Sequence, residues 1–246
     1  MKNTVKLIKR GICSTIVSRI FAMIIIASIG LNYPGYIYCE EGYGDTKKIA
    51  ITFDDGPHKE YTPKILDILK KHDVRGTFFI IGTNADQYPE IVKRTVSEGH
   101  EIGSHTYYHR HISAMDENEL KEDLEKNEQS LLALTGEKPT LFRPPEGVCN
   151  DKVKNTAKEM GYSIIMWTVD TSDWQGIDSA RIVGTVKKKV NPGAIILFHD
   201  YVSGRSGTPE ALEKLIPFLK SEGYTFVTVS ELLKSDPERD YTVIMG

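Results

Sequence analysis

The stretch KIAITFDDGP, residues 48–57, closes an apolar run on two adjacent aspartates, with Gly56 and Pro57 immediately after. Asp-Gly-Pro is ordinary turn chemistry, and a surface turn would account for the glycine and the proline. It does not account for two like charges placed where a buried strand should be ending. The first apolar run therefore predicts a strand, and the doublet predicts something at its carboxyl end that tolerates Asp54 and Asp55 side by side.

Working outward, short apolar runs of the same kind recur along the chain. They are GTFFII (76–81), HEIGS (100–104), TLFR (140–143), SIIMW (163–167), AIILF (194–198) and YTFVTV (224–229), seven with the first. They are continuous rather than alternating, which suits parallel strands covered on both faces. Helical patterns lie between them. TPKILDILKKH places Ile65, Leu66, Ile68 and Leu69 on one face, with Pro63 in a first turn. DENELKEDLEKNEQSLLALTG (116–136) is acidic at its start and has Gly136 as a C-cap. The pattern predicts one α/β domain over about residues 47–234, either a doubly wound sheet or a (β/α) barrel, with a short tail at 235–246.

The chain has 246 residues and a net charge of −3, but the charge is unevenly spread. Residues 1–39 hold Lys2, Lys6, Lys9, Arg10 and Arg19 and no acid, leaving 26 basic against 34 acidic groups in the rest. So acidic a body lacks the clustered Lys and Arg that nucleic acid demands. The basic start precedes IFAMIIIASIGL (20–31), which has the length of a signal-peptide apolar region and is too short to span a bilayer. Residues 1–39 are thus expected to be an export signal or a membrane anchor, placing the domain outside the cytoplasm. Three cysteines make no disulfide framework; at most Cys39 and Cys149 could pair, and two free thiols is the plainer expectation.

In parallel β/α folds, chemistry gathers at the carboxyl ends of the strands. Five of the seven predicted strand ends carry polar residues: Asp54 and Asp55; His105 and His109 in SHTYYH; Arg143 in RPPEG; Asp173 and Trp174 in DTSDW; and His199 in LFHD. Two histidines separated by three residues are spaced to share an ion, and a carboxylate from another strand completes an open ligand set. The same ligand types describe a catalytic zinc site and a non-haem iron site. The aspartate doublet favours hydrolysis, because one carboxylate can hold the ion while its neighbour takes a proton from the attacking water. The ion and Arg143 would then relieve the repulsion between the two. An adjacent pair on a strand also points to opposite faces, so the two need not share an environment.

TFDDGP, SHTYYH, RPPEG, DTSDW and LFHD, in that order, resemble the five motifs of the polysaccharide deacetylases (NodB homology domain, carbohydrate esterase family 4). The resemblance implies a distorted, incomplete (β/α) barrel and hydrolysis of acetyl groups on a sugar polymer, with zinc or a similar ion such as cobalt. It implies Asp54 as general base and Asp55, His105 and His109 as metal ligands. It further implies Arg143 orienting Asp54, His199 as general acid, and Asp173 holding its imidazolium. Trp174 and Leu197 would wall the acetyl pocket, next to Pro145 and the residue after it. That residue is often Tyr in the family and is Glu146 here; its backbone N–H would serve the oxyanion, whereas the sugar contact is altered. Peptidoglycan is the expected substrate, with chitin-like oligomers or acetylated xylan as alternatives and an inactive carbohydrate-binding protein as the rival class. His58 and His111 are expected to be surface residues, Trp167 a core residue, and at least one of Tyr107 and Tyr108 a packing residue.

Overall fold

A computed structural model describes residues 36–37 and 47–235. The expected leader apolar stretch, Cys39 and the tail lie outside the described residues. In chain order the elements are β1 (Tyr36–Ile37), β2 (Lys48–Asp54), α1 (Tyr61–Lys71), β3 (Thr77–Ile80), α2 (Gly82–Gln87), α3 (Pro89–Ser97) and β4 (Glu101–Ser104). They continue with α4 (Glu117–Thr135), β5 (Leu141–Phe142), α5 (Asp151–Glu159), β6 (Ser163–Ile165) and β7 (Val169–Asp170). The last are α6 (Ser179–Lys189), β8 (Ile195–His199), α7 (Thr208–Ser221), β9 (Thr225–Phe226) and α8 (Val229–Ser235).

The strands form one sheet in the order β1-β6-β5-β4-β3-β2-β8-β7, with β9 against the start of β2, and every pairing is parallel. The end strands β1 and β7 do not pair with each other, so the sheet is a curled, open barrel of the incomplete kind. Two strands beyond the predicted seven appear, β1 and β7. Each is two residues long; β5 and β9 are equally short but lie within the longer runs TLFR and YTFVTV that mark them.

Alternation along β2 sorts the core. Ile49, Ile51 and Phe53 join Leu66 and Leu69 of α1, Val186 of α6 and Leu215 of α7 in the layer between sheet and helices. Phe53 stacks there on Phe78 and Phe198, with ring centroids 4.7 and 5.8 Å away. On the other face, Ala50 packs with Phe79, Leu141, Ile165 and Ile195 in the barrel interior, together with Val229 and Leu232 of α8. Thr52 and Asp54 continue that inner row and are buried. Apolar side chains therefore fill one end of the barrel, and the inner row turns polar toward the carboxyl ends of the strands.

The expected strand 224–229 ends at Phe226, and Val229 begins a helix instead. The reason lies in TVSE (228–231), a capping box. Thr228 Oγ1 accepts the Glu231 N–H at 3.3 Å, and Glu231 Oε2 accepts the Thr228 N–H at 3.1 Å. The long helix α4 is closed by the same device, Asp116 with Glu119, and ends on Gly136 at φ 78 as its sequence predicts.

Candidate active site

Arg143 follows β5 and turns into the barrel, where its side chain is fully buried. Its Nη1 donates to Asp54 Oδ1 and to Thr52 Oγ1, both at 2.7 Å, while Nε and Nη2 donate to the Ile165 and Met166 carbonyls at 3.0 and 2.9 Å. The guanidinium also lies 4.1 Å from the Phe79 ring centroid and 5.7 Å from that of Trp167. A charge in such a place is retained only when paired and hydrogen-bonded throughout. Asp54, 3 % exposed, is thereby fixed through one oxygen.

Asp55 does not continue the strand. Its φ of 72° is left-handed, so the doublet separates by a backbone turn rather than by strand alternation. Asn84 Nδ2 holds this turn by donating to the Asp55 carbonyl at 2.8 Å. Gly56 then passes so close to the buried Asp200 carboxyl that a Cβ there would sit 2.1–2.4 Å from its atoms. Asp200 Oδ2 accepts the Thr62 hydroxyl at 2.6 Å. Burial, together with the charges of Asp55 and Asp54, pushes the Asp200 carboxyl up to about 7.

The turn brings Asp55 Oδ1 to 3.3 Å from His105 Nε2 and 3.2 Å from His109 Nε2. That oxygen is buried and makes no aligned hydrogen bond with either ring. The three donor atoms lie within 4.8 Å of one another. His105 is oriented by its Nδ1–H, which donates to the Arg143 carbonyl at 2.7 Å and leaves Nε2 facing the carboxylate. An orphaned buried carboxylate oxygen facing two imidazole nitrogens is the donor set of a dication, so the residues fit a metal ion. Burial opposes ionisation of Asp55, but the His105 and His109 rings outweigh it and hold the carboxyl well below the usual range. Asp54 Oδ2 stands 4.0 Å from His105 Nε2, beside the donor set rather than in it.

His199 ends β8 in register with Asp54 on the neighbouring strand. Asp173 holds it twice, accepting from Nδ1 and from the backbone N–H, each at 2.8 Å, and also accepts the Thr208 hydroxyl at 2.5 Å. Burial disfavours the imidazolium, but the Asp173 carboxylate, aided by Asp54 and Asp55, overrides this and pushes His199 up to about 9. Leu197 is buried one turn of the pleat before it, while Trp174, beside Asp173, is 55 % exposed. Pro145 is buried, and Glu146 follows with a left-handed φ of 57°.

All eleven predicted site residues thus lie at or just beyond the carboxyl ends of β2, β4, β5, β7 and β8. Sequence reasoning missed Thr52 and Phe79 inside strands, Thr208 at the start of α7, and Asp200, which directly follows His199 in LFHD. Of the two histidines expected at the surface, His111 is exposed and His58 is half-buried, and each has a partner. The His58 Nδ1 accepts the Glu60 and Tyr61 N–H groups, each at 3.2 Å, and so caps α1. His111 pairs with Glu146 across the rim at 2.8 Å. Trp167 is partly buried between two core clusters, and Tyr107 is packed with its hydroxyl on Asp86 at 2.6 Å, whereas Tyr108 is exposed. Cys149 is a free thiol.

Comparison with known proteins gives the arrangement a lineage. Residues 41–165 match the polysaccharide deacetylase family. A peptidoglycan-N-acetylglucosamine deacetylase of Bacillus cereus is 42 % identical over 205 residues, covering 83 % of this chain and 74 % of that protein. The peptidoglycan-N-acetylmuramic acid deacetylase PdaA of Bacillus subtilis is 36 % identical, covering 77 % of this chain and 73 % of its own. The crystal structure of the Bc1960 peptidoglycan N-acetylglucosamine deacetylase superposes with a TM-score of 0.77 at 41 % identity, over 80 % of this chain and 92 % of that one. With five ordered motifs meeting on one rim of the same fold, this chain belongs to the polysaccharide deacetylase family.

Proposed function

We propose that the chain hydrolyses N-acetyl groups on the amino sugars of peptidoglycan, acting outside the cytoplasm after export or while tethered by its N-terminal segment. The observation that carries this reading is two titratable groups with separate partners, Asp54 on Arg143 and His199 on Asp173, beside one Asp/His/His donor set that fits a metal ion. Relatives named for peptidoglycan deacetylation support the substrate. Asp55, His105 and His109 would hold the ion, and two imidazoles with one carboxylate suit zinc, with cobalt as a substitute. When bound, the ion would polarise the acetyl carbonyl and acidify water.

The chain's own residues supply the rest. Asp54, locked by Arg143 through Oδ1, takes the proton of the attacking water on Oδ2. The Glu146 N–H supports the oxyanion, and Pro145, Leu197 and Trp174 enclose the methyl group. An amine does not leave as an anion, so it must be protonated as the carbon–nitrogen bond breaks. His199, held as imidazolium by Asp173, gives that proton from its free Nε2. Incubating the metal-loaded protein with purified peptidoglycan should release acetate and yield glycan fragments that mass spectrometry shows lacking acetyl groups. Intact acetylation in peptidoglycan, alongside turnover of chitin oligomers or acetylated xylan, would reassign the substrate.

The pH dependence follows from the same pair. Activity requires protonated His199, so it is lost as pH rises through the His199 pKa, which Asp173 raises to about 9 in the metal-free protein and a bound dication pulls back. Asp173→Asn removes the main upward push, so the alkaline limb of kcat/KM should move to lower pH. A limb that stays in place in the variant would take the acid role away from His199.

A further inference from the structure

One buried carboxylate behind the site has no part in the steps above. Asp123 lies mid-way along α4, where its neighbours Glu122 and Glu125 face water, yet its own side chain is completely covered. A carboxylate is kept in such a position only with dedicated partners. All of them come from the loop that carries the metal-ligand histidines. Asp123 Oδ1 accepts the Tyr107 N–H at 2.5 Å and the Tyr108 N–H at 3.4 Å, and Oδ2 accepts from Arg110 Nη2 at 3.2 Å.

That loop is in need of an anchor. From the buried His105 to the half-buried His109 the chain enters the left-handed region twice without glycine, at Thr106 (φ 65°) and at His109 itself (φ 52°). Inside the loop, Thr106 Oγ1 accepts the His109 N–H at 3.1 Å. The residues between the two turns, Tyr107 and Tyr108, are the ones whose amides converge on Asp123. The Thr106 and Tyr107 carbonyls accept from the Gly82 and Thr83 N–H groups at 3.1 and 3.0 Å, which ties the near half of the loop to α2, so Asp123 is the anchor on the side that leads to His109.

We propose that Asp123 is a positioning residue for metal capture: it clamps the 106–110 loop so that the His109 imidazole already faces Asp55 before an ion arrives. It acts through backbone amides of the loop and not through the metal or the substrate. The proposal rests on Asp55, His105 and His109 being the metal site. Partners one shell out from a metal characteristically change affinity by about 10–100-fold when lost.

The test uses the chain stripped of metal by a chelator and titrated with cobalt(II) alone, reading affinity by competition and ligand geometry by the visible absorption of the ion. Asp123→Ala, which leaves no acceptor for the Tyr107 and Tyr108 N–H groups, should bind cobalt about 10–100-fold more weakly, with an altered absorption band. Excess cobalt should restore most of its deacetylation rate, because Asp54 and His199 are untouched. Leu120→Ala, which opens a cavity on the same helix, is the control; it should unfold at lower temperature yet bind cobalt as the parent does. If Asp123→Ala does not fold, Asp123→Glu takes its place, since a carboxylate one methylene longer displaces the loop and should weaken cobalt in the same way. Parent-like affinity and absorption in a folded Asp123 variant would overturn the proposal, as would equal loss of affinity in Leu120→Ala. A parent protein that takes up no cobalt removes the metal site itself, and the role of Asp123 with it.

Discussion

Asp54→Asn is expected to lower the deacetylation rate by about 10²–10⁴ while zinc content stays at the parent value. The asparagine oxygen still accepts from Arg143, so the variant keeps the geometry and loses the proton acceptor. Asp55→Asn should behave in the opposite way. It removes the charge that two imidazoles face at 3.2 and 3.3 Å, so zinc content falls, and added zinc recovers part of the rate. Zinc content and rate, measured on both variants side by side, decide the matter. Loss of zinc in Asp54→Asn with both zinc and rate intact in Asp55→Asn would reverse the two assignments.

Arg143→Met should have the largest effect on stability. The substitution leaves Asp54 buried without its cation and strips donors from the Ile165 and Met166 carbonyls in the barrel interior. Breaking one side of a buried ion pair costs on the order of 3–5 kcal/mol. For a domain of this size that lowers the melting temperature by roughly 10 °C. Adding Asp54→Asn should partly relieve the loss, because the unpaired charge disappears, so the double variant should melt above Arg143→Met alone. The comparison is made on metal-free protein, where no ion compensates Asp54. A melting temperature for Arg143→Met equal to the parent's would show that the guanidinium does not stabilise the barrel.

The sequence made these experiments designable because strand ends are legible in it. Continuous runs such as AIILF and GTFFII mark buried parallel strands, and an aspartate or histidine at the end of each is visible as an interruption. Three kinds of feature were not legible. A two-residue strand with no longer apolar run around it, such as β7 at Val169–Asp170, leaves no signal. The helix at 229–235 was hidden because apolar YTFVTV reads on as a strand, although TVSE within it carries a cap signal that outweighs two β-branched residues. Partners joined over long separations leave no local trace. Thr208 reaches Asp173 across 35 positions and Thr62 reaches Asp200 across 138. The separation of the doublet was foreseen, but by the wrong cause: strand alternation would have sent Asp55 to the helix side, and only its left-handed turn keeps both carboxylates on the rim.

Asp54 and His199 are register partners on adjacent strands, and this fixes the backbone from which each side chain enters the site. Two neighbouring strands are held about 4.8 Å apart by their hydrogen-bond ladder, whatever the loops above them do. The carboxylate proposed to accept a proton and the imidazole proposed to donate one therefore start from backbone positions held at that spacing. Lengthening or rewriting the loops that carry Glu146, His111 or Trp174 reshapes what sugar can approach and leaves that spacing untouched. Such a scaffold can exchange one acetylated polymer for another by loop change alone, whereas a one-residue slip of β8 against β2 would abolish the chemistry for all of them.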